Sequence, residues 1–425
     1  MKNKSALVLV LLGLVALLFC LAPLSAQDEV TLTFWFEGDA PATVELFQQV
    51  ADEFAAERPG VSVEITSYGF DDFLRVMPLA LDGGEGPDVA YVPWGLQALG
   101  RYALAGHAVE LTDLAEENGW LDRYEMSDIR LTNGLTPDQI YGIPFENVTI
   151  GVFYNKEIFA ELGLAIPGTL ADFEAAMQAV LDTGMTPISV GGRDSWPLAH
   201  VWLQLVHTAM PIEVITGIEE NDPAYRLDTP EFLAATEKTL EWAQAGYLDP
   251  NMLSTGFVDA NNLFINGDVA MNIGGTWVMN DFAMLPEFEV GFFPTPQLNP
   301  DLPWHAGGKN PYNNLMINAA TEHMDLAIEF VGYMLGEEAQ TKFWNAGNIT
   351  AYRFDEMPPP STPLLADVAA ANSYTGFGYN IGVTCSALNL ATWRTLQELV
   401  GGDITPDELI VTNQQVYEED CLSGE

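Results

Sequence analysis

Val30, Leu32, Phe34 and Phe36 alternate along the chain, so residues 30–36 read as a strand with one strongly apolar face. Glu37-Gly38-Asp39-Ala40-Pro41 ends that strand and opens a helix, with proline at an early helical position. Val44, Phe47, Ala51 and Phe54 then recur at intervals of three and four, one stripe of an amphipathic helix that Arg58-Pro59-Gly60 stops. Val61, Val63 and Ile65 alternate again. A strand, a helix and a second strand in such close succession require a parallel pair joined by a right-handed crossover. The class is therefore α/β. Phe73–Leu81 reads as a further helix, residues 83–87 as a glycine-rich loop and Asp88–Val92 as a third strand.

The length of 425 residues suggests two domains. Residues 1–26 read as a cleaved signal peptide: Lys2 and Lys4 precede the apolar run Ala6–Leu18, and Leu24-Ser25-Ala26 offers a small-residue cleavage site. The apolar run stops at Pro23, short of the roughly 20 residues a membrane span needs. Phe19 precedes Cys20 where lipid attachment wants a small residue, so no lipid anchor is expected. The product is expected in the periplasm or outside the cell. Sixty acidic against 15 basic side chains give a formal charge of −45. That balance argues against nucleic acid and anionic membranes as partners, because phosphates require clustered Lys and Arg. Cys385 and Cys421 are the only cysteines beyond the signal; in an oxidising compartment they either pair or stay as two free thiols.

Residues 264–277 read FINGDVAMNIGGTW. Asn266-Gly267-Asp268 is turn chemistry and Val269–Ile273 a short apolar strand. Gly274-Gly275-Thr276 strips side chains from the backbone just before Trp277. That combination lets a ligand approach the main chain beneath a flat aromatic face, or makes a tight turn beside a core tryptophan. The stretch resembles the F-x-x-G-x-x-A-M-x-x-x-G-x-W signature of the extracellular solute-binding proteins of ABC importers, in the sugar- and oligosaccharide-binding, maltose-binding-protein-like group. Phe264, Gly267, Ala270, Met271, Gly275 and Trp277 stand where that pattern expects them. The N-terminal order, including Gly84-Glu85-Gly86-Pro87-Asp88, and the Tyr141-Gly142-Ile143-Pro144 … Tyr154-Asn155-Lys156 segment resemble the same family.

The resemblance implies a type II periplasmic-binding-protein fold: two lobes, each a mixed sheet flanked by helices, joined by a hinge. Residues 27–146 and 291–346 would form the first lobe, 147–290 and 347–425 the second, with crossings near Glu146, Val290 and Ala346. It implies a monomer that binds a sugar or short oligosaccharide and serves ABC permease subunits, with no cofactor.

Ligands of open α/β sheets sit at the carboxyl ends of strands. In this chain those ends carry Trp35, Glu37, Asp39 and Trp94; Trp35 could equally be a core residue on the other strand face. Glu146, Asn147 and Thr149 fall where the family places polar contacts to sugar hydroxyls, or they cap the hinge. Trp196, in Gly191-Gly192-Arg193-Asp194-Ser195-Trp196-Pro197, either stacks on a ligand or caps a core. Gly275 and Trp277 are carried over from the signature. His305 and Gly308 lie in a second glycine-rich loop, and Tyr379 in the aromatic loop 374–380.

His200 and His207 could share a helix face, but no other His or Cys is near and no metal site is expected. The chain has no G-x-S-x-G, no Walker-type loop, no H-E-x-x-H and no C-x-x-C. With so many carboxylates, a glycoside-hydrolase pair is the one enzymatic alternative that counting leaves open. Nothing in the sequence singles such a pair out, and no catalytic residue is assigned.

Overall fold

A computed structural model describes residues 29–38, 40–95, 98–124, 139–302, 309–371 and 384–423, with the main chain only at 309–311. Its strands form two five-membered sheets. The first has the order β2-β1-β3-β10-β4, from Val61–Tyr68, Val30–Glu37, Val89–Pro93, Asn313–Ile317 and Ile143–Pro144. β1 is parallel to β2 and β3, as the N-terminal pattern requires, while β10 runs antiparallel to β3 and β4. Leu32, Phe34 and Phe36 are fully buried against the helix Pro41–Ala56, with Phe36 and Phe47 rings 4.5 Å apart. The helix Met324–Met334 covers the same face, its Phe330 meeting Phe34 and Phe54. The other face packs on Phe73, Met77 and Tyr102.

The second sheet has the order β6-β7-β5-β8, from Thr186–Ser189, Val269–Gly275, Asn147–Asn155 and Val290–Phe293; β9, Lys309–Pro311, also pairs with β5. Every residue of β5 and β7 is buried. Such strands need helices on both faces. The helices Trp196–Ala209 and Pro230–Ala245 supply one layer, with Trp202 donating to Thr236 at 2.9 Å. The helices Ser386–Gly401 and Pro406–Val416 pack outside them, tied by a Cys385–Cys421 disulfide that spans 36 residues.

The two sheets are joined where three segments run side by side. Between β4 and β5 only Phe145 and Glu146 intervene, and between β9 and β10 only Tyr312. Tyr312 N donates to Glu146 O at 3.0 Å, and Phe145 N to Asn313 O at 2.8 Å. The third segment pairs on the other side: Asn147 N donates to Ile349 O at 2.6 Å and Ala351 N to Phe145 O at 3.0 Å.

The crossing expected near Val290 is displaced. Residues 291–293, assigned to the first lobe, hydrogen-bond to β5 in the second sheet, so the chain returns at Tyr312. At the other end, Ala351 and Tyr352 pack in the first core although 347–425 was assigned to the second lobe. Arg123 holds that stretch through a two-pronged ion pair with Asp355, at 2.7 and 2.9 Å. The helix Pro363–Ala371 then packs on β8. Among the described residues no helix is long and apolar enough to cross a membrane.

Candidate functional site

The three crossing segments bring polar groups from distant parts of the chain to one point. Glu37 ends β1, Glu146 stands between β4 and β5, and Asn313 opens β10. The Asn313 side-chain N–H group donates to Glu37 Oε2 at 3.1 Å and to Glu146 Oε1 at 3.2 Å. One amide thus holds two carboxylates together. The buried Tyr91 hydroxyl also donates to Glu146. Burial pushes the Glu146 carboxyl up from 4.5 to about 6, against the opposing effect of these two hydrogen bonds. Burial first, and then the charges of Glu37 and Glu146, raise the Tyr312 phenol well above its ordinary value.

From Tyr312, which lies close to both carboxylates, a run of aromatic residues extends away. Trp94 follows β3 and is buried against Tyr312. Tyr312 lies 6.0 Å from Trp277, with ring planes 32° apart. Trp277 is half-buried and also meets His200 at 5.3 Å and Trp196 at 5.9 Å. Trp196 in turn packs on Phe257 at 4.6 Å and on Phe70 at 6.4 Å. Phe70 opens a helix of the first body, so the run bridges both bodies.

The double glycine of the sequence signature has a different role from the one expected. Gly274 and Gly275 are the last residues of β7, paired with Gly151 and Ile150, and form no turn. A Cβ at Gly275 would stand 2.0 Å from Cζ3 of Trp277. The missing side chain therefore makes room for the tryptophan ring, which occupies the space where a ligand was expected to approach the backbone. The turn lies earlier, at Gly267, whose φ of +75° suits glycine.

Trp35 is half-buried and meets Tyr68 at 5.3 Å with tilted rings, packed against the core on the other face of the first sheet. That is the packing alternative for this residue. Asn147 and Thr149 are buried inside the crossing: Asn147 Nδ2 donates to Thr350 O at 3.2 Å, and Thr149 N donates to Thr276 Oγ1 at 3.2 Å. They hold the junction together. Asp39, His305, Gly308 and Tyr379 lie outside the described residues. Tyr91, Asn313, Tyr312 and Phe70 belong to the site without having been singled out from the sequence.

The family model for "bacterial extracellular solute-binding protein" matches residues 40–341, most of the chain. The chain belongs to that family. This solute-binding protein is 24% identical over 340 residues to the multiple sugar-binding protein of Streptococcus mutans, covering 76% of this chain and 74% of that one. It is 24% identical over 395 residues to the melibiose/raffinose/stachyose-binding protein MelE of Bacillus subtilis, covering 88% and 84%. Among solved structures, a chitin oligosaccharide binding protein superimposes with a TM-score of 0.79 at 22% identity, over 92% of this chain and 99% of that one. The protein RafE in complex with raffinose does so with a TM-score of 0.70 at 21% identity, over 91% and 98%. These likenesses show the shared two-lobed α/β fold, and the family is one of solute-binding proteins rather than enzymes.

Proposed function

We propose that this protein captures a sugar or short oligosaccharide outside the cytoplasmic membrane and delivers it to the permease subunits of an ABC importer. The observation that carries the proposal is the pairing of Glu37 and Glu146 on one amide, beside a run of aromatic residues that starts at Tyr312, where the two bodies join. Sugars present apolar ring faces and a rim of hydroxyls. Aromatic rings suit the first, and carboxylates accept strong, oriented hydrogen bonds from the second. The bodies built on the two sheets act as lobes, and the triple crossing at 145–147, 311–313 and 349–351 is their hinge. Closure of this kind is one of the recurrent ways proteins seize a ligand. The protein acts as a monomer.

A thermal-shift screen over sugars, amino acids and polyamines tests the proposal. A ligand present at a hundred times its Kd stabilises the native state by about 2.7 kcal/mol, so the true ligand class is plain in such a screen. Oligosaccharides should raise the melting temperature and be recovered uncleaved. A shift with a polyamine or an amino acid and with no sugar refutes the sugar assignment.

A further inference from the structure

The two bodies also touch away from the crossing. Phe70 is the first residue of the helix Phe70–Gly83 in the first body, and its ring lies edge-to-face against Trp196 of the second at 6.4 Å, with planes 64° apart. Two rings, Trp277 and Trp196, stand between Tyr312 at the crossing and Phe70. Trp196 is held from its own side by Phe257 at 4.6 Å and His200 at 5.2 Å. Rotation of one body away from the other about the crossing therefore parts Phe70 from Trp196, while Trp196 keeps its own neighbours.

The chain flanking this contact carries like charges. Asp71 follows Phe70, and Asp194 precedes Trp196 by two residues, so bringing the rings together brings the carboxylates together. Asp194 is fixed in place. Its Oδ2 accepts from Phe257 N at 2.7 Å and its Oδ1 from Arg193 Nε at 3.3 Å, and Ser195 after it has a φ of +64° that leaves the segment little freedom. Arg193 is shared with Asp259 at 3.5 Å. On the helix of Asp71 itself, Asp72 is paired with Arg75 at 2.7 Å. Burial first, and then the charges of Asp194 and Asp72, hold the Asp71 carboxyl above its ordinary value of 3.8, and among the described residues no cation pulls it back.

We propose that Phe70 and Trp196 form a clasp between the lobes and that Asp71 and Asp194 beside it oppose closure, so that the empty protein stands open at neutral pH and closes in acid. The proposal rests on the reading of the two bodies as lobes that close, and holds whichever solute they enclose. One edge-to-face ring contact and one pair of like charges facing water are both small and of similar size, so a single proton decides between them. The sign follows from the two states. In the closed form Asp71 lies against Asp194; in the open form it is hydrated and returns toward its ordinary value. The closed form thus binds this proton more tightly, and its advantage is present below the ordinary aspartate value and lost as pH rises through the raised one. At neutral pH only contacts made to a ligand hold the lobes together, so that closure reports loading.

Small-angle X-ray scattering of the ligand-free protein, from about pH 7.5 down to about pH 4.5, tests this on the wild type, Asp71→Asn and Phe70→Ala. Asp113→Asn controls for the lost charge, because its helix Thr112–Glu117 packs on the other face of the first sheet. The radius of gyration of the wild type and of Asp113→Asn should shrink as pH falls. Asp71→Asn should be compact already at neutral pH and change little in acid, while Phe70→Ala should stay extended throughout. If Phe70→Ala does not fold, Phe70→Leu, which removes the ring and keeps apolar bulk, is read in the same way. Asp71→Asn that tracks Asp113→Asn at every pH, or a Phe70 variant that contracts in acid as far as the wild type, overturns the clasp. So does a wild type whose radius does not respond to pH. None of these results touches the sugar reading, which the thermal-shift screen decides separately.

Discussion

Gly275→Ala probes the tryptophan platform with a single methyl group. Gly275 has φ −96° and ψ 166°, a conformation open to alanine, so the backbone does not resist the change. The new Cβ would meet Cζ3, Cη2 and Cε3 of Trp277 at 2.0, 2.3 and 2.4 Å, where carbon atoms need about 3.5–4 Å. All three atoms belong to one ring. The ring is half-buried, so it can tilt toward the hinge by more than an ångström without disturbing β7. Overpacking at such a site costs about 1–2 kcal/mol of stability. The tilt takes Trp277 away from Trp196 and His200, changes how it meets Tyr312, and spoils the surface on which the proposed sugar ring would pack. Loss of much of one aromatic contact weakens binding by about 1–2 kcal/mol, roughly five- to thirtyfold. Chemical denaturation gives the first number, titration with a bound oligosaccharide the second, and near-ultraviolet circular dichroism reports the moved indole. A variant that matches the wild type in all three would show that the ring yields without consequence, and the reasoning from the Gly275 contact would be refuted.

Glu146 makes stability depend on pH. Its carboxyl is raised from 4.5 to about 6, so the folded state holds this proton more tightly than the unfolded one. The contribution is fully present below about pH 4.5 and is lost as pH rises through about 6, a step of up to about 2 kcal/mol. Glu146→Gln should flatten the urea-denaturation profile across that window; an unchanged slope contradicts the assignment. Sugar affinity should move the opposite way, rising from pH 5 to 7 as Glu146 ionises and accepts hydroxyls. Replacing both Cys385 and Cys421 by serine opens a loop of 36 residues and should cost about 4 kcal/mol in denaturation experiments on oxidised protein. Equal stability of oxidised wild type and the double variant would show that the helices at the C-terminus are held without it.

The N-terminal β-α-β unit was legible because each element carries its own periodicity. Leu32, Phe34 and Phe36 mark one strand face, and Phe47, Ala51 and Phe54 one helix stripe, all of them buried as the spacing requires. Periodicity fails where side chains are absent or partners are remote. Gly274 and Gly275 carry no alternating pattern, and only pairing with β5 makes them strand. Val290–Phe293 is plainly a strand in sequence, but which sheet it joins depends on Asn155 and Val152, far back in the chain. The acidic pair shows the same divide. Glu37 and Glu146 could be picked out from strand ends and family resemblance. The amide that joins them, Asn313, lies 276 and 167 residues away, and nothing local marks it. Phe70 and Tyr312 read as ordinary aromatic residues until the fold sets them against Trp196 and Trp277.

The proposed capture of sugar where the two bodies join turns on Trp277. Titration calorimetry of the wild type and Trp277→Ala, with the oligosaccharide that most raises the wild-type melting temperature, measures its part. The substitution should weaken binding by about 1–3 kcal/mol, roughly five- to 150-fold, through loss of buried aromatic area. Folding should lose less than the about 3–5 kcal/mol of a core tryptophan, because the ring is half-buried. Wild-type affinity in the variant, or a chain that no longer folds, would make Trp277 a packing residue and contradict the site described above.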